Sequence, residues 1–126
     1  MKKKGPLWKS FYHALCGIKE VFHHERNFKI HVLILSLVII SGMILKIRLI
    51  EWLICLVLFG LVLSLELINT AIEATVDICM PEQNPKAKLA KDTAAGGVLI
   101  GAIISSIVGL IIFLPKGIEF INNFIK

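Results

Sequence analysis

The stretch Glu66-Leu-Ile-Asn-Thr-Ala-Ile-Glu-Ala-Thr-Val-Asp77 closes a long apolar run that begins at Trp52. At about 100° per residue, Glu66, Asn69, Glu73 and Asp77 fall near 0°, 300°, 340° and 20° on a helical wheel, with Thr70 near 40°. Acid and amide therefore share one narrow face. Leu67, Ile68, Ala71, Ile72, Ala74 and Val76 cover the rest. A carboxylate at bilayer depth is expensive and is retained where something uses it. A polar seam that locks helices together is one reading. Amides and hydroxyls would suffice for that, without the cost of buried charge.

Working outward, the chain reads as one integral-membrane domain, residues 1–126, of all-α class. Of its 126 residues, 56% are hydrophobic. Spans are expected at about 28–46, 52–76 and 93–114. An amphipathic surface helix is expected at about 6–24, with Pro6 in its first turn and Trp8 and Lys9 at headgroup level. The apolar core of the first span is short for a bilayer ~30 Å thick. Residues 46–51 read as a tight outer turn, Trp52 as an interface anchor, and residues 81–85 as a short loop. Thr93, Gly97, Gly101, Ser105 and Gly109 recur every four residues, a spacing that lets helices approach closely. Pro115 is expected to end the last span, leaving a short amphipathic tail.

Charge orients the molecule. With three spans, the N-terminus and the second loop share a side that carries ten Lys/Arg against four on the other. Lys2, Lys3 and Lys4 are among the ten. Positive-inside bias places this side, and the N-terminus, in the cytoplasm of a multi-pass plasma-membrane protein. Topology thus explains the +5 charge, and no nucleic-acid partner is expected. Cys16, Cys55 and Cys79 have no metal or redox spacing and read as small apolar residues. No apolar signal core follows the basic N-terminus, so the whole chain is expected to be the mature protein.

The polar knot His23-His24-Glu25-Arg26-Asn27 precedes the first span without a His-Glu-x-x-His pattern. Its acid, Glu25, sits at the cytoplasmic membrane surface. From Trp52 to Glu66 is about 21 Å, which places Glu66 past the midplane. Glu73 lies about 10 Å further, near the surface, and Asp77 beyond it. The stripe thus runs from lipid to cytosol and suits chemistry joining a membrane-bound molecule to a soluble one. Carboxylates suit Mg²⁺, which takes one or two and leaves other positions to water and phosphate. Glu25 and Glu73 could supply these two. Lys91 suits phosphate, and Asp92 suits orienting Lys91 or a ribose hydroxyl. Glu66 is too deep for the metal and well placed to take a proton from a lipid hydroxyl. No phosphate-binding glycine loop or soluble-kinase signature is present.

Residues 66–77, followed by Ala90-Lys91-Asp92, resemble the signature of the bacterial integral-membrane diacylglycerol kinase and undecaprenol kinase family. His24-Glu25-Arg26-Asn27 and Val108-Gly-Leu-Ile-Ile-Phe-Leu-Pro115 are most similar to the undecaprenol kinase branch of Gram-positive bacteria. The resemblance covers about residues 7–115. It implies a homotrimer with active sites shared between subunits. It also implies Mg-ATP-dependent phosphorylation of a lipid alcohol, with undecaprenol expected and diacylglycerol the alternative. Glu66 then looks like the catalytic base, and Glu25 and Glu73 like the metal ligands. Asn69, Asp77, Lys91 and Asp92 look like the polar shell around nucleotide and metal. Glu82, Gln83 and Asn84 fall where the family contacts nucleotide, and His13 falls where better-known members carry a tyrosine near the adenine. The reading from a different class is a non-enzymatic membrane assembly whose buried acids relay ions or protons. A relay should continue its acids along the span, and none lies between Trp52 and Leu65.

Overall fold

The computed structural model describes residues 5–126. Lys2, Lys3 and Lys4, which weigh in the charge count, lie outside the described residues. Four helices follow in order: α1 (Leu7–His24), α2 (Arg26–Ile44), α3 (Leu49–Cys79) and α4 (Pro85–Ile125). Three of them, α2, α3 and α4, are long and apolar enough to cross a membrane. α3 packs against both α2 and α4.

The 19 residues of α2 reach about 28 Å. The 31 of α3 reach about 46 Å and the 41 of α4 about 60 Å. The longer helices therefore outrun a ~30 Å hydrocarbon layer. Their surplus lies partly at the loop end, where α3 passes to α4 through residues 80–84. The outer part of the acidic stripe, ending at Asp77, runs into this overhang.

The opposite, turn end joins α2 to α3. Leu45 N–H donates to the Ser41 carbonyl at 2.8 Å and Ile47 N–H to the Gly42 carbonyl at 3.1 Å. Lys46 adopts a left-handed conformation (φ 50°) between them. This six-to-one bond around a left-handed residue closes the helix in the usual way, with lysine in glycine's place. Gly42 is needed here for a different reason. An added Cβ would lie 2.7 Å from the Trp52 indole. Trp52, expected as an interface anchor, thus closes over the end of α2. Ile47, Cys55 and Ile112 form a buried core beside it, covered by Val38, Phe59, Val108 and Phe113.

Glu51 is a carboxylate that sequence reading left in the turn. It is buried in the first turn of α3. It accepts the Arg48 backbone N–H at 2.7 Å and lies 3.3 Å from the Arg48 guanidinium and 3.4 Å from Lys116 Nζ. Lys116 is available because α4 does not stop at Pro115, a correction to the expected end of the span. The helix continues to Ile125. Proline removes one donor but its φ is helical, and membrane helices tolerate such a loss.

Candidate active site

Glu25 stands at the corner between α1 and α2. It is the one extended residue separating them, with φ −93° and ψ 114°. Its N–H still closes α1 by donating to the Val21 carbonyl at 2.8 Å. Phe22 meets the buried Phe28 edge-on across the same corner, fixing where α2 sets off. The neighbouring histidines serve local structure. His23 and His24 place Nδ1 at 2.8 and 3.1 Å from the carbonyls of Lys19 and Glu20.

The α3 stripe forms as its spacing predicts. Glu66 is buried and Asn69 and Glu73 are half-buried, while Asp77 is exposed. Asn69 Nδ2 donates to Glu73 Oε1 at 3.1 Å. Thr70 donates to the Glu66 carbonyl at 3.0 Å. The Glu66 side chain is 5% exposed, and its Oε1 makes no hydrogen bond. The nearest cation former is His31 of α2, with Nε2 at 3.6 Å. A cavity of about 250 Å³ holds this pair, walled by Asn27, His31, Glu66, Asn69 and part of α4 at residues 95–102. Glu25 and Glu73 are not part of that wall.

The other expected residues gather around a second cavity, of about 660 Å³, between the end of α3 and the start of α4. Asp77, Glu82, Gln83, Asn84, Lys91 and Asp92 all line it. Lys91 Nζ donates to Asp77 Oδ1 at 2.8 Å, tying α4 to the tip of the stripe. Asp92 does not orient Lys91, contrary to one of its two expected uses. It is one residue further round the helix and pairs with Lys88 a turn behind it. The Asn84 side-chain oxygen Oδ1 caps α4, accepting the N–H groups of Lys86 at 2.8 Å and Ala87 at 3.4 Å. That cap and the following Pro85 explain why α4 begins here. His13 stands apart, exposed on α1 with its ring 5.7 Å from Tyr12, and lines neither cavity.

Sequence reading missed His31 as a site residue. Asn27 and His31 are four apart and so share one face of α2, and that spacing was the available signal. Among the described residues, no cluster of three or more His, Cys, Asp or Glu side chains makes a ready-built metal cage. A two-carboxylate set still fits Mg²⁺, which completes its shell with water and phosphate oxygens. Glu73 suits this role because Asn69 occupies one of its oxygens and steadies the carboxylate.

Three helices long and apolar enough to cross a membrane thus carry carboxylates and a lysine gathered toward one end. Residues 12–113 match the family model described as prokaryotic diacylglycerol kinase, and the chain belongs to this family of lipid kinases. It is 50% identical over 110 residues to the undecaprenol kinase of Bacillus subtilis, a match covering 87% of this chain and 89% of that one. A diacylglycerol kinase of Synechocystis is 39% identical over 107 residues, covering 84% of this chain and 61% of that protein. A Helicobacter pylori diacylglycerol kinase is 33% identical over 97 residues, 77% of this chain and 76% of the relative.

Proposed function

We propose that the protein transfers the γ-phosphoryl group of ATP to the hydroxyl of undecaprenol, giving undecaprenyl phosphate and ADP at the cytoplasmic face of the plasma membrane. The observation that carries this reading is Glu66, an acid nine-tenths buried with an unpartnered oxygen, in a cavity at the membrane end of the acidic stripe. The likeness to the Bacillus subtilis undecaprenol kinase supports the choice of lipid. Diacylglycerol is the second reading, favoured by the relatives named for it.

Glu66 accepts the proton of the lipid hydroxyl as its oxygen attacks the γ-phosphorus. The bond from that phosphorus to the bridging oxygen breaks, and ADP leaves. An aliphatic alcohol is a poor nucleophile without such a base, and phosphoryl transfer otherwise depends on positioning and charge neutralisation. Glu25 and Glu73 are the residues that would hold Mg²⁺, which when bound neutralises phosphate charge. Asn69 orients Glu73. Lys91, held by Asp77, meets a phosphate, and Asp92 faces the ribose side of the larger cavity. Glu82, Gln83 and Asn84 wall the nucleotide, while His13, expected near the base, lies outside that cavity. α1 lies on the membrane surface, the N-terminus is cytoplasmic, and three subunits complete shared sites.

The test is phosphorylation of undecaprenol and diacylglycerol by purified protein in lipid nanodiscs with γ-labelled ATP. Label in undecaprenyl phosphate is expected, at a higher rate than in phosphatidic acid. The opposite preference selects the second reading, and label in neither lipid overturns the kinase assignment for this chain.

A further inference from the structure

Phosphoryl transfer to an alcohol releases one proton, and Glu66 takes it in a place with little water. The Glu66 side chain is 5% exposed, and its Oε1 makes no hydrogen bond. Once protonated, it cannot accept from a second hydroxyl, so the proton has to leave in every turnover. The walls of the 250 Å³ cavity limit the way out. On the α4 side Ala95, Val98, Leu99 and Ala102 have no group that holds a proton. Asn69 is an amide, and its Nδ2 is already given to Glu73. Thr70, a turn along α3, spends its hydroxyl hydrogen on the Glu66 backbone carbonyl.

Besides Glu66, the cavity wall carries one group that titrates. His31 Nε2 lies 3.6 Å from Glu66 Oε1, the oxygen without a partner. This is just beyond hydrogen-bonding range, and a small rotation of either side chain closes the gap. A histidine that only held the carboxylate in place would stand within that range and leave no bare oxygen. The imidazole is also intermediate in exposure between the acid and water. Its side chain is 17% exposed against 5% for Glu66, while Asn27, one turn back along α2, is exposed. Asn27 and His31 line the same cavity, so the ring bridges the step from the buried acid to the solvated end of α2. Histidine changes charge between about pH 5 and 8, so it both takes and gives a proton readily.

We propose that His31 carries away the proton that Glu66 takes from the acceptor hydroxyl. The inference rests on the lipid-kinase reading and adds to it the fate of the proton. The hydroxyl oxygen bonds to the γ-phosphorus as its hydrogen passes to Glu66, and the bond from that phosphorus to the bridging oxygen breaks. Glu66 then gives the proton to Nε2 of a neutral His31 whose other ring nitrogen, Nδ1, carries the hydrogen. This leaves a carboxylate beside an imidazolium. The imidazolium releases the proton to water on the Asn27 side, and both groups are back in their starting states. His31 thus acts through Glu66. Its loss traps the proton after one turnover and leaves the transfer step itself in place.

His31→Gln keeps a polar side chain of similar reach but removes the group that titrates. Rapid-quench assays with γ-labelled ATP and undecaprenol read the first turnover and the steady state separately, with unsubstituted protein as the reference. In His31→Gln the first turnover should keep its rate within about threefold, while the steady rate falls about tenfold or more. Labelled lipid should then appear as a burst of one per site. His31→Ala leaves room for a small base, so added imidazole should raise its steady rate, while pyrazole, of the same shape and far less basic, should not. A first turnover slowed as much as the steady rate overturns the proposal and makes His31 a positioning group for Glu66. An unchanged steady rate in His31→Gln also overturns it, and so does a His31→Ala protein that responds equally to imidazole and pyrazole or to neither. If thermal unfolding shows that His31→Gln does not fold, the comparison of the two bases on His31→Ala decides. Absence of labelled lipid from unsubstituted protein overturns the kinase reading as well; labelled lipid there with any of the contrary results in the variants overturns the proton route alone.

Discussion

Glu66 and Glu73 share one helical face two turns apart, yet their surroundings assign them different work. Glu66 is sealed from water beside His31, while Glu73 is half-buried and held by Asn69. Replacing Glu66 with Gln should cut turnover by ~10²–10⁴ while nucleotide affinity survives, because a positioned base is worth about that much. If Glu66 were only a structural seam, removing its charge would stabilise the protein and spare turnover. Turnover, nucleotide affinity and thermal stability measured on one variant separate the two. Glu73→Gln should instead raise the Mg²⁺ concentration needed for half-maximal rate, read from a metal titration; full activity with unchanged Mg²⁺ dependence would remove Glu73 from the metal site. The α3 stripe was legible because its four polar residues repeat at helical spacing within twelve positions. His31 was not, since its meaning depends on a partner 35 residues away, and a lone histidine near a span boundary reads equally well as an interface residue.

Helices were legible where hydropathy has a period, and less so at their ends. α4 shows why. Pro115 lacks an N–H, and from sequence alone that reads as a stop. The helix nevertheless continues past it and brings Lys116 to the buried Glu51 on α3, a tertiary contact that sequence alone does not show. The turn between α2 and α3 was foreseen as tight, but not that its tightness rests on Gly42. A methyl there collides with the Trp52 ring at 2.7 and 2.8 Å and crowds Ile47 at 3.1 Å. Gly42→Ala should therefore lower stability by about 1–3 kcal/mol despite alanine's better helix propensity, since overpacking costs that much where a rigid ring cannot yield. Thermal unfolding in detergent would show it. A Tm at or above that of the unsubstituted protein would mean that Trp52 moves aside. The same change at Gly60, where a Cβ meets nothing, is the reference.

At the scale of the whole molecule, much of the apolar surface of α2, α3 and α4 remains exposed on a single chain. Leu37, Leu56, Val57, Leu99, Ile100 and Ile111 are all more than half exposed. Lipid covers such surface, and so do neighbouring subunits. If sites are shared in a trimer, subunits carrying Glu25→Ala mixed with subunits carrying Glu66→Gln should regain activity that neither has alone. Some mixed oligomers would then hold a site with both acids intact. Mixed oligomers isolated by two tags and still inactive would confine each site to one chain. Sequence reading offered the oligomer through a family resemblance and a small-residue stripe. The stripe is the weaker support, because Gly101 packs within the chain and Gly109 faces open space.

The buried core at the turn end bears on how such a protein changes over generations. Ile47, Cys55, Ile112 and the Glu51 ion pairs hold one end, and the acidic stripe with its two polar-lined cavities lies toward the other. Substitutions that reshape a substrate site commonly erode stability, because strained or polar sites draw on the same packing that holds the fold. Here Cys55 of the core and Glu66 of the site stand about 16 Å apart along α3, roughly half the thickness of the hydrocarbon layer. Residues around the site are then free to drift toward a different alcohol while the distant clasp keeps the helices together, which is an economical arrangement for a family whose members bear the names of different lipids.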